Sequence, residues 1–248
     1  MKKKPATDKP YSCEHCGAGF VREASLFTHL CEKKRRWDER DMPSSRLGYI
    51  AWLEFYKRNY PSKKDTDFKS FAKSTYYTGF IKFGLYCHSI NAINPTAFMG
   101  WLLSNKVAID NWTSDAQYEK YLVEYLRLED HGDAIKRSIE TLAEIAEEQG
   151  MLVSDVLRVG NANKICHLIT VGKISPWIIY NCDSGIEFMG HVMRSGQVQH
   201  IYKYIDPEIW QIKFKRQSSD TEIVKQALKH LRHNFVATLI LNALIVSK

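Results

Sequence analysis

A cluster of cysteine and histidine residues constrains the fold of the first forty residues more than any other feature of the chain. Cys13 and Cys16 form a Cys-x-x-Cys pair, and His29 follows after twelve intervening residues. A tight turn between two such cysteines lets both thiolates bind one metal ion. A segment this short cannot bury enough apolar surface to fold alone, so a bound ion would have to stabilise it.

Three apolar side chains, Tyr11, Phe20 and Leu26, flank the cysteine pair. With these residues, the cysteine pair and His29, the segment 11–37 resembles a zinc finger of the Cys2His2 type. The resemblance implies a small ββα-like module in which these three apolar side chains form a very small core. It also implies that Zn²⁺ is the cofactor.

The pattern departs from that family after His29, because the next available ligand, Cys31, lies only two residues further on. We expect a helix over 23–30, and residues two apart on a helix point about 200° away from each other. Cys31 can therefore share an ion with His29 only if the helix unwinds at Leu30. A residue from the rest of the chain, or water, is the alternative fourth ligand. The predicted metal ligands are Cys13, Cys16, His29 and Cys31.

Basic residues flank this site, and the chain carries a formal net charge of +7. Lysine and arginine beside a finger are typical of phosphate contacts, and a tryptophan among them can stack on a base. A solvated basic face without a ligand is the alternative. One finger covers only about three base pairs, so we expect binding without sequence specificity, to DNA rather than RNA. The predicted nucleic-acid-binding residues are Arg22, Lys33, Lys34, Arg35, Arg36 and Trp37.

The rest of the chain has the pattern of a mainly α fold. In the segment 133–148, for example, apolar residues recur every three or four positions, and Gly150 follows as a helix end. Within 198–215, EIWQIKFK alternates apolar and polar residues, so a short β element is the alternative to a helix there. We therefore expect a small ββα-like finger followed by a multi-helix globular domain.

Three regions follow from this pattern. Residues 1–37 form the finger with its basic flanks, and 38–46, which contain Pro43, are predicted to be a linker. Residues 47–248 form the helical domain, with a candidate subdivision near residue 150.

The helical domain lacks the motifs of the commonest enzymes: it has no GxGxxG, no GxxxxGK[ST], no GxSxG and no HExxH. Its isolated cysteines and histidines, such as Cys166 and His167, lie in apolar contexts that are typical of packed side chains. The absence of these motifs favours a protein that is not an enzyme, without deciding the question.

Two stretches of the helical domain carry a resemblance of pattern: FMGWLLSNKVAIDNWTSDAQYEKYLVEYL and ANKICHLITVGKISPWIIYN. They contain an apolar helix, a short loop, a tyrosine-rich helix and a Gly-Lys-Ile-Ser turn. In this order they resemble the helicase-loading protein of T4-type bacteriophages. The resemblance implies an all-helical protein that binds branched DNA and recruits a replicative helicase. The N-terminal finger is not part of that family's pattern.

Three classes of function are consistent with these features. The favoured one is a phage-type accessory factor of DNA replication or recombination, with the finger on DNA and the helical domain on a helicase or another replication protein. The second is an enzyme that modifies or cleaves nucleic acid, for example in phage DNA base modification. The third is a finger that binds protein, which would expose an apolar patch instead of a positive one.

Cysteine usage and hydropathy bear on location. The cysteines do not form a disulfide framework, which fits a reducing compartment. The longest apolar run, FVATLILNALIVS at 235–247, is too short to span a bilayer and is predicted to be a buried helix or strand. We therefore expect no membrane partner and a cytoplasmic location, in the host cell if the protein is viral.

Overall fold

The computed structural model describes residues 9–61 and 66–230, and nearly all of their regular structure is helical. This confirms the predicted mainly α fold. Contacts divide the chain into two compact units, Met1–Gln117 and Tyr118–Lys248. No helix in the described part of the chain is long and apolar enough to cross a membrane. The apolar run at 235–247 lies outside the described residues.

The first unit begins with a two-stranded antiparallel hairpin, in which Tyr11 lies opposite Phe20 and Ser12 opposite Gly19. The hairpin and the helix after it form the predicted ββα-like finger. The regular elements are β1 Tyr11–Ser12, β2 Gly19–Phe20, α1 Glu23–Phe27, α2 Glu32–Asp38, α3 Pro43–Asn59, α4 Phe68–Lys73, α5 Tyr77–Ser89 and α6 Pro95–Ser104. Short 3₁₀ turns lie at Glu39–Asp41 and Ile109–Asn111.

Helices α3 and α5 pack so closely that glycine is required where their backbones meet. A Cβ atom on Gly84 would lie 2.0 Å from the carbonyl oxygen of Ser44, and one on Gly48 would lie 2.7 Å from that of Phe80. Large aromatic side chains account for much of the buried core of this unit. Those that are almost fully buried are Trp52, Phe71, Phe80, Phe83, Phe98 and Trp112.

The segment 38–46, predicted to be a linker, is structured. It contains the last residue of α2, the 3₁₀ turn Glu39–Asp41 and the start of α3. Pro43 is at the first position of α3, where its fixed φ suits a helix and its missing N–H leaves no bond unmade. The finger therefore continues directly into the helices of the first unit.

The second unit is helical throughout its described residues. Its first helix spans the boundary at 117/118. A helix ends at Gln149, near the predicted subdivision, and Gly150 follows with φ of +63°. The helices are α7 Asp115–Leu128, α8 His131–Gln149, α9 Val156–Val159, α10 Ala162–Thr170, α11 Pro176–Asn181, α12 Asp183–Arg194, α13 Val198–Ile205, α14 Pro207–Arg216 and α15 Ser218–His230. A 3₁₀ turn lies at Val153–Asp155.

The alternative of a β element within 198–215 is wrong, because α13 and α14 occupy this region. Asp206 caps the N-terminus of α14, and Pro207 takes its first position. The alternation in EIWQIKFK therefore does not reflect a strand. In α14 this stretch buries Trp210. In α13 the buried residues Ile201, Tyr204 and Ile205 follow helical spacing.

We predict that Gly84→Ala lowers the free energy of unfolding of the first unit by about 1–3 kcal/mol or more, because the new methyl group would force α3 and α5 apart. The measurement is chemical unfolding of the full chain. Gly100→Ala is the matched control. A Cβ at Gly100 has no atom within 4 Å, so this change should be neutral or stabilise by up to about 1 kcal/mol. Equal unfolding midpoints for the two variants would contradict the close approach.

Candidate metal centre

The turn of the hairpin positions the first two sulfur ligands. The backbone N–H of Cys13 donates to the carbonyl oxygen of Ala18 at 2.9 Å, and that of Gly17 donates to the carbonyl oxygen of Cys13 at 2.7 Å. Gly17 has φ of +73°, a left-handed conformation that glycine adopts without strain. This tight turn directs the Cys13 and Cys16 side chains to the same side.

The end of α1 positions the other two ligands. The helix was predicted to reach Leu30 and to unwind there, and in the structure it ends earlier, at Phe27. Beyond it the chain leaves helical geometry, and Cys31 lies in an extended conformation with φ of −91° and ψ of 107°. His29 packs its ring against that of Phe20, with centroids 5.0 Å apart. The early helix end removes the geometric conflict between His29 and Cys31.

All four predicted ligand side chains converge. Each offers one donor atom, and the four donor atoms lie within 4.8 Å of one another. The Sγ atoms of Cys13 and Cys31 are 3.6 Å apart, and Cys16 Sγ is 3.2 Å from Nε2 of His29. Two sulfurs bound to one tetrahedral ion at about 2.3 Å would be separated by about 3.7 Å. The residues present therefore fit a single four-coordinate metal ion.

Backbone N–H groups donate hydrogen bonds to two of the sulfur atoms, and such hydrogen bonds favour the thiolate form. The N–H of Lys34 donates to Cys31 Sγ at 3.3 Å, and that of Ala18 donates to Cys16 Sγ at 3.5 Å. A backbone hydrogen bond from Cys16 lowers the pKa of the Cys13 thiol, whereas burial raises the pKa of the Cys31 thiol. A bound cation would deprotonate all of these thiols, because the thiolate is the ligating form.

The apolar residues of the finger contribute little burial. Phe20 and Leu26 are half-buried, and Tyr11 is exposed over about a third of its surface. Phe27 and Leu30 are 84% and 97% exposed. With so small a core, a metal ion held by the four ligand side chains would supply much of the stability of this module. The sequence did not predict the exposure of Phe27 and Leu30, because nothing local marks Phe27 as the last residue of α1.

The predicted nucleic-acid-binding residues fall into two groups. In the first are Arg22, Lys33 and Lys34, which have no carboxylate within ion-pair distance among the described residues. In the second, Arg35 pairs with Glu32 at 2.7 Å and with Glu39 at 3.5 Å. The sequence-based prediction did not include Glu32. It lies three residues before Arg35, which is the spacing typical of an ion pair on a helix.

Arg36 and Trp37, also in the second group, pack against the helices that follow. The guanidinium of Arg36 donates to the carbonyl oxygen of Ala72 at 3.0 Å and lies 4.3 Å from the ring centroid of Tyr77. Trp37 contacts Phe68 edge to face, with centroids 6.0 Å apart. These contacts attach α2 to the rest of the first unit. Nucleic-acid binding by any of these residues stays a prediction.

Comparisons with protein-family models, with curated proteins and with solved structures found no match. The resemblance to the phage helicase-loading protein therefore has no support from them. The resemblance of residues 11–37 to a zinc finger is supported at the level of a Cys3His group that could hold a metal ion.

We predict that Cys31→Ala weakens metal binding by more than about 100-fold. Loss of a residue that only hydrogen-bonds to a ligand costs about 10- to 100-fold, and loss of a ligand itself should cost more. The melting temperature of the full chain should fall as well, because the ion stabilises the folded finger. The measurements are metal titration against a competing chelator and thermal unfolding.

Leu30→Ala is the matched control, because this neighbouring side chain is almost fully exposed and donates nothing to the ion. It should leave metal affinity within about twofold. Unchanged affinity in the Cys31 variant would show that the fourth ligand is not Cys31.

Proposed function

We propose that the N-terminal module is a zinc finger that binds the phosphate backbone of nucleic acid, DNA in preference to RNA, without reading sequence. Zinc is the metal that best suits the donor set, since three thiolates and one imidazole in a tetrahedral arrangement are a typical structural zinc site. A site closed by four protein ligands leaves no open position for catalysis, so the ion's role would be structural.

The observation that carries the phosphate-binding proposal is the division of the basic residues. Arg22, Lys33 and Lys34 have no acidic partner among the described residues. Arg22 and Lys34 are also exposed. Arg35 and Arg36 are engaged by Glu32, and Arg36 also by the first unit's helices. Three cations without acidic partners, on either side of the candidate metal centre, are available to bind phosphate.

The position of α2 supports a further part of the proposal. Because Arg36 and Trp37 attach α2 to α4 and α5, the finger and the first unit would bind nucleic acid together. Surfaces of the second unit that do not contact nucleic acid would then be available for a protein partner, such as a helicase, in a phage-type replication or recombination complex. We retain an enzyme that modifies or cleaves nucleic acid as the alternative function.

A finger that binds protein is a second candidate, and one observation favours it. Phe27 and Leu30 are largely exposed, and Val21 is 55% exposed. Exposed apolar side chains on so small a module are typical of contact surfaces. In the nucleic-acid proposal, the same side chains would lie against bases, since an exposed phenylalanine ring can stack on an unpaired base.

We predict that a Lys33→Gln/Lys34→Gln variant, called here the α2 variant, binds a labelled oligonucleotide more weakly. The salt dependence of binding, as log K against log salt, should fall in slope by about 1.4 to 1.8, because two phosphate contacts release fewer counterions. Fluorescence anisotropy between 50 and 200 mM salt measures it, with single- and double-stranded DNA and RNA as separate probes.

The matched control is Lys82→Gln/Lys106→Gln, which removes the same charge from exposed positions of the first unit outside the finger. Its slope should stay close to that of the intact protein. If the α2 variant and the control behave alike, Lys33 and Lys34 do not contact phosphate. If the intact protein binds no oligonucleotide at low salt, the nucleic-acid proposal fails and the apolar surface favours the protein-binding candidate.

A further inference from the structure

A groove of about 420 Å³ in the second unit has a strongly positive lining. Three of the side chains that line it are cations: Arg127 at the end of α7, and Lys213 and Arg216 in the last turn of α14. None of the described residues that line it is acidic. The chain thus brings together cations that are more than eighty residues apart in sequence, at the repulsive cost of placing like charges side by side.

Arg127 has hydrogen-bonding capacity that the fold does not use. Its Nε is buried and has no hydrogen-bond partner among the described residues. A terminal nitrogen donates to the carbonyl oxygen of Lys203, at the long distance of 3.5 Å. The buried Nε cannot be reached from the groove in this conformation, whereas the N–H groups on the two terminal nitrogens can bind two oxygens of a phosphate. Arg127 is therefore suited to an anionic ligand in the groove.

Lys213 is fixed in place by the fold. Its Nζ donates to the carbonyl oxygen of Arg127 at 2.7 Å and to that of Glu129 at 3.3 Å. It also lies 5.2 Å and 5.3 Å from the ring centroids of Trp177 and Trp210. Burial lowers the pKa of Lys213. The two carbonyl contacts explain Lys213 as a cap of α7, and they leave its third N–H for a ligand.

Acidic groups near Lys213 do not neutralise the whole groove. The nearest are Glu129, Asp130 and Asp220, which all act on the Lys213 charge. The Glu129 carboxylate is already bound, to Arg137 at 2.7 Å and to the hydroxyl group of Ser175 at 2.8 Å. Neither Arg127 nor Arg216 has an ion-pair partner among the described residues. No acidic group among the described residues therefore neutralises the charges of Arg127 and Arg216.

We propose that this groove is a second binding site for phosphate, and that its ligand is the backbone of an extended nucleic-acid strand. The choice of nucleic acid rests on the proposed function, whereas the phosphate chemistry does not. Arg127 and Arg216 bind phosphate oxygens, and Lys213 adds a third positive charge behind them. The strand lies along an open surface groove, so successive phosphates reach the cations without any base entering a pocket.

The test uses the full chain and an Arg127→Gln/Arg216→Gln variant, called here the groove variant. Binding of a labelled twelve-nucleotide oligothymidine is measured by anisotropy at 50 to 200 mM salt. The groove variant should bind about tenfold more weakly at the lowest salt, with a slope lower by about 1.4. Lys215→Gln is the matched control, because this exposed cation lies on the same helix but does not line the groove. Its affinity should stay within about twofold.

A second set of measurements places the groove change in the α2 variant. The groove change should weaken binding by the same factor there, because the two sites act through separate contacts. The groove proposal is overturned if the groove change leaves affinity unchanged both in the intact protein and in the α2 variant. If only the α2 variant loses affinity, the finger proposal stands and the groove proposal is overturned. If only the groove variant loses affinity, the groove proposal stands and the finger proposal is overturned.

Tripolyphosphate serves as the probe for a free phosphate compound. If the groove variant loses tripolyphosphate binding but keeps its affinity for the oligonucleotide, the strand is not the ligand and that part of the proposal is overturned. Thermal unfolding checks that each variant folds. Arg216→Gln alone keeps the test decisive if replacing the partly buried Arg127 prevents folding, since Arg216 is exposed. It should lose about threefold in affinity at the lowest salt.

Discussion

The rest of the N-terminal part depends on the position of Cys31, which serves two elements at once. Its Sγ lies 3.6 Å from that of Cys13 in the candidate metal centre, and it also accepts the backbone N–H of Lys34 at the start of α2. A metal ion bound here would therefore fix both the finger and the N-cap of the following helix. Through Arg36, that helix contacts the carbonyl oxygen of Ala72. The stability supplied by such an ion would thus extend beyond the segment that holds it.

The sequence predicted which four side chains converge as candidate metal ligands, and it predicted the mainly α fold, because both rest on local rules. Ligand spacing limits which side chains can share one ion, and helical periodicity identifies buried faces. The prediction was wrong for the β alternative within 198–215, where a short alternating pattern was outweighed by Asp206 and Pro207 as a helix start. It also extended α1 too far, because nothing local marks Phe27 as the last helical residue.

Other features depend on contacts between distant residues, which the sequence does not reveal. From the sequence alone, the basic residues at 33–36 are predicted to form one uniform exposed surface. In the structure, the Arg36 side chain is 20% exposed and that of Arg35 is 62% exposed, because only Arg36 faces α4 and α5. The groove is a stronger case, since Arg127 and Arg216 belong to different helices. No spacing rule connects residues so far apart, and only packing brings them together.

The attachment of α2 has a consequence for the geometry of any complex. Arg36 and Trp37 hold this helix on the first unit, with the Arg36 guanidinium 4.3 Å from the ring centroid of Tyr77. A finger on a flexible tether samples many angles, and its gain in affinity depends on tether length. A finger attached in this way has one orientation relative to the unit that carries it. In the proposed complex with nucleic acid, the direction of the strand would then be set before encounter, and partners would be distinguished by their angle as well as by their charge.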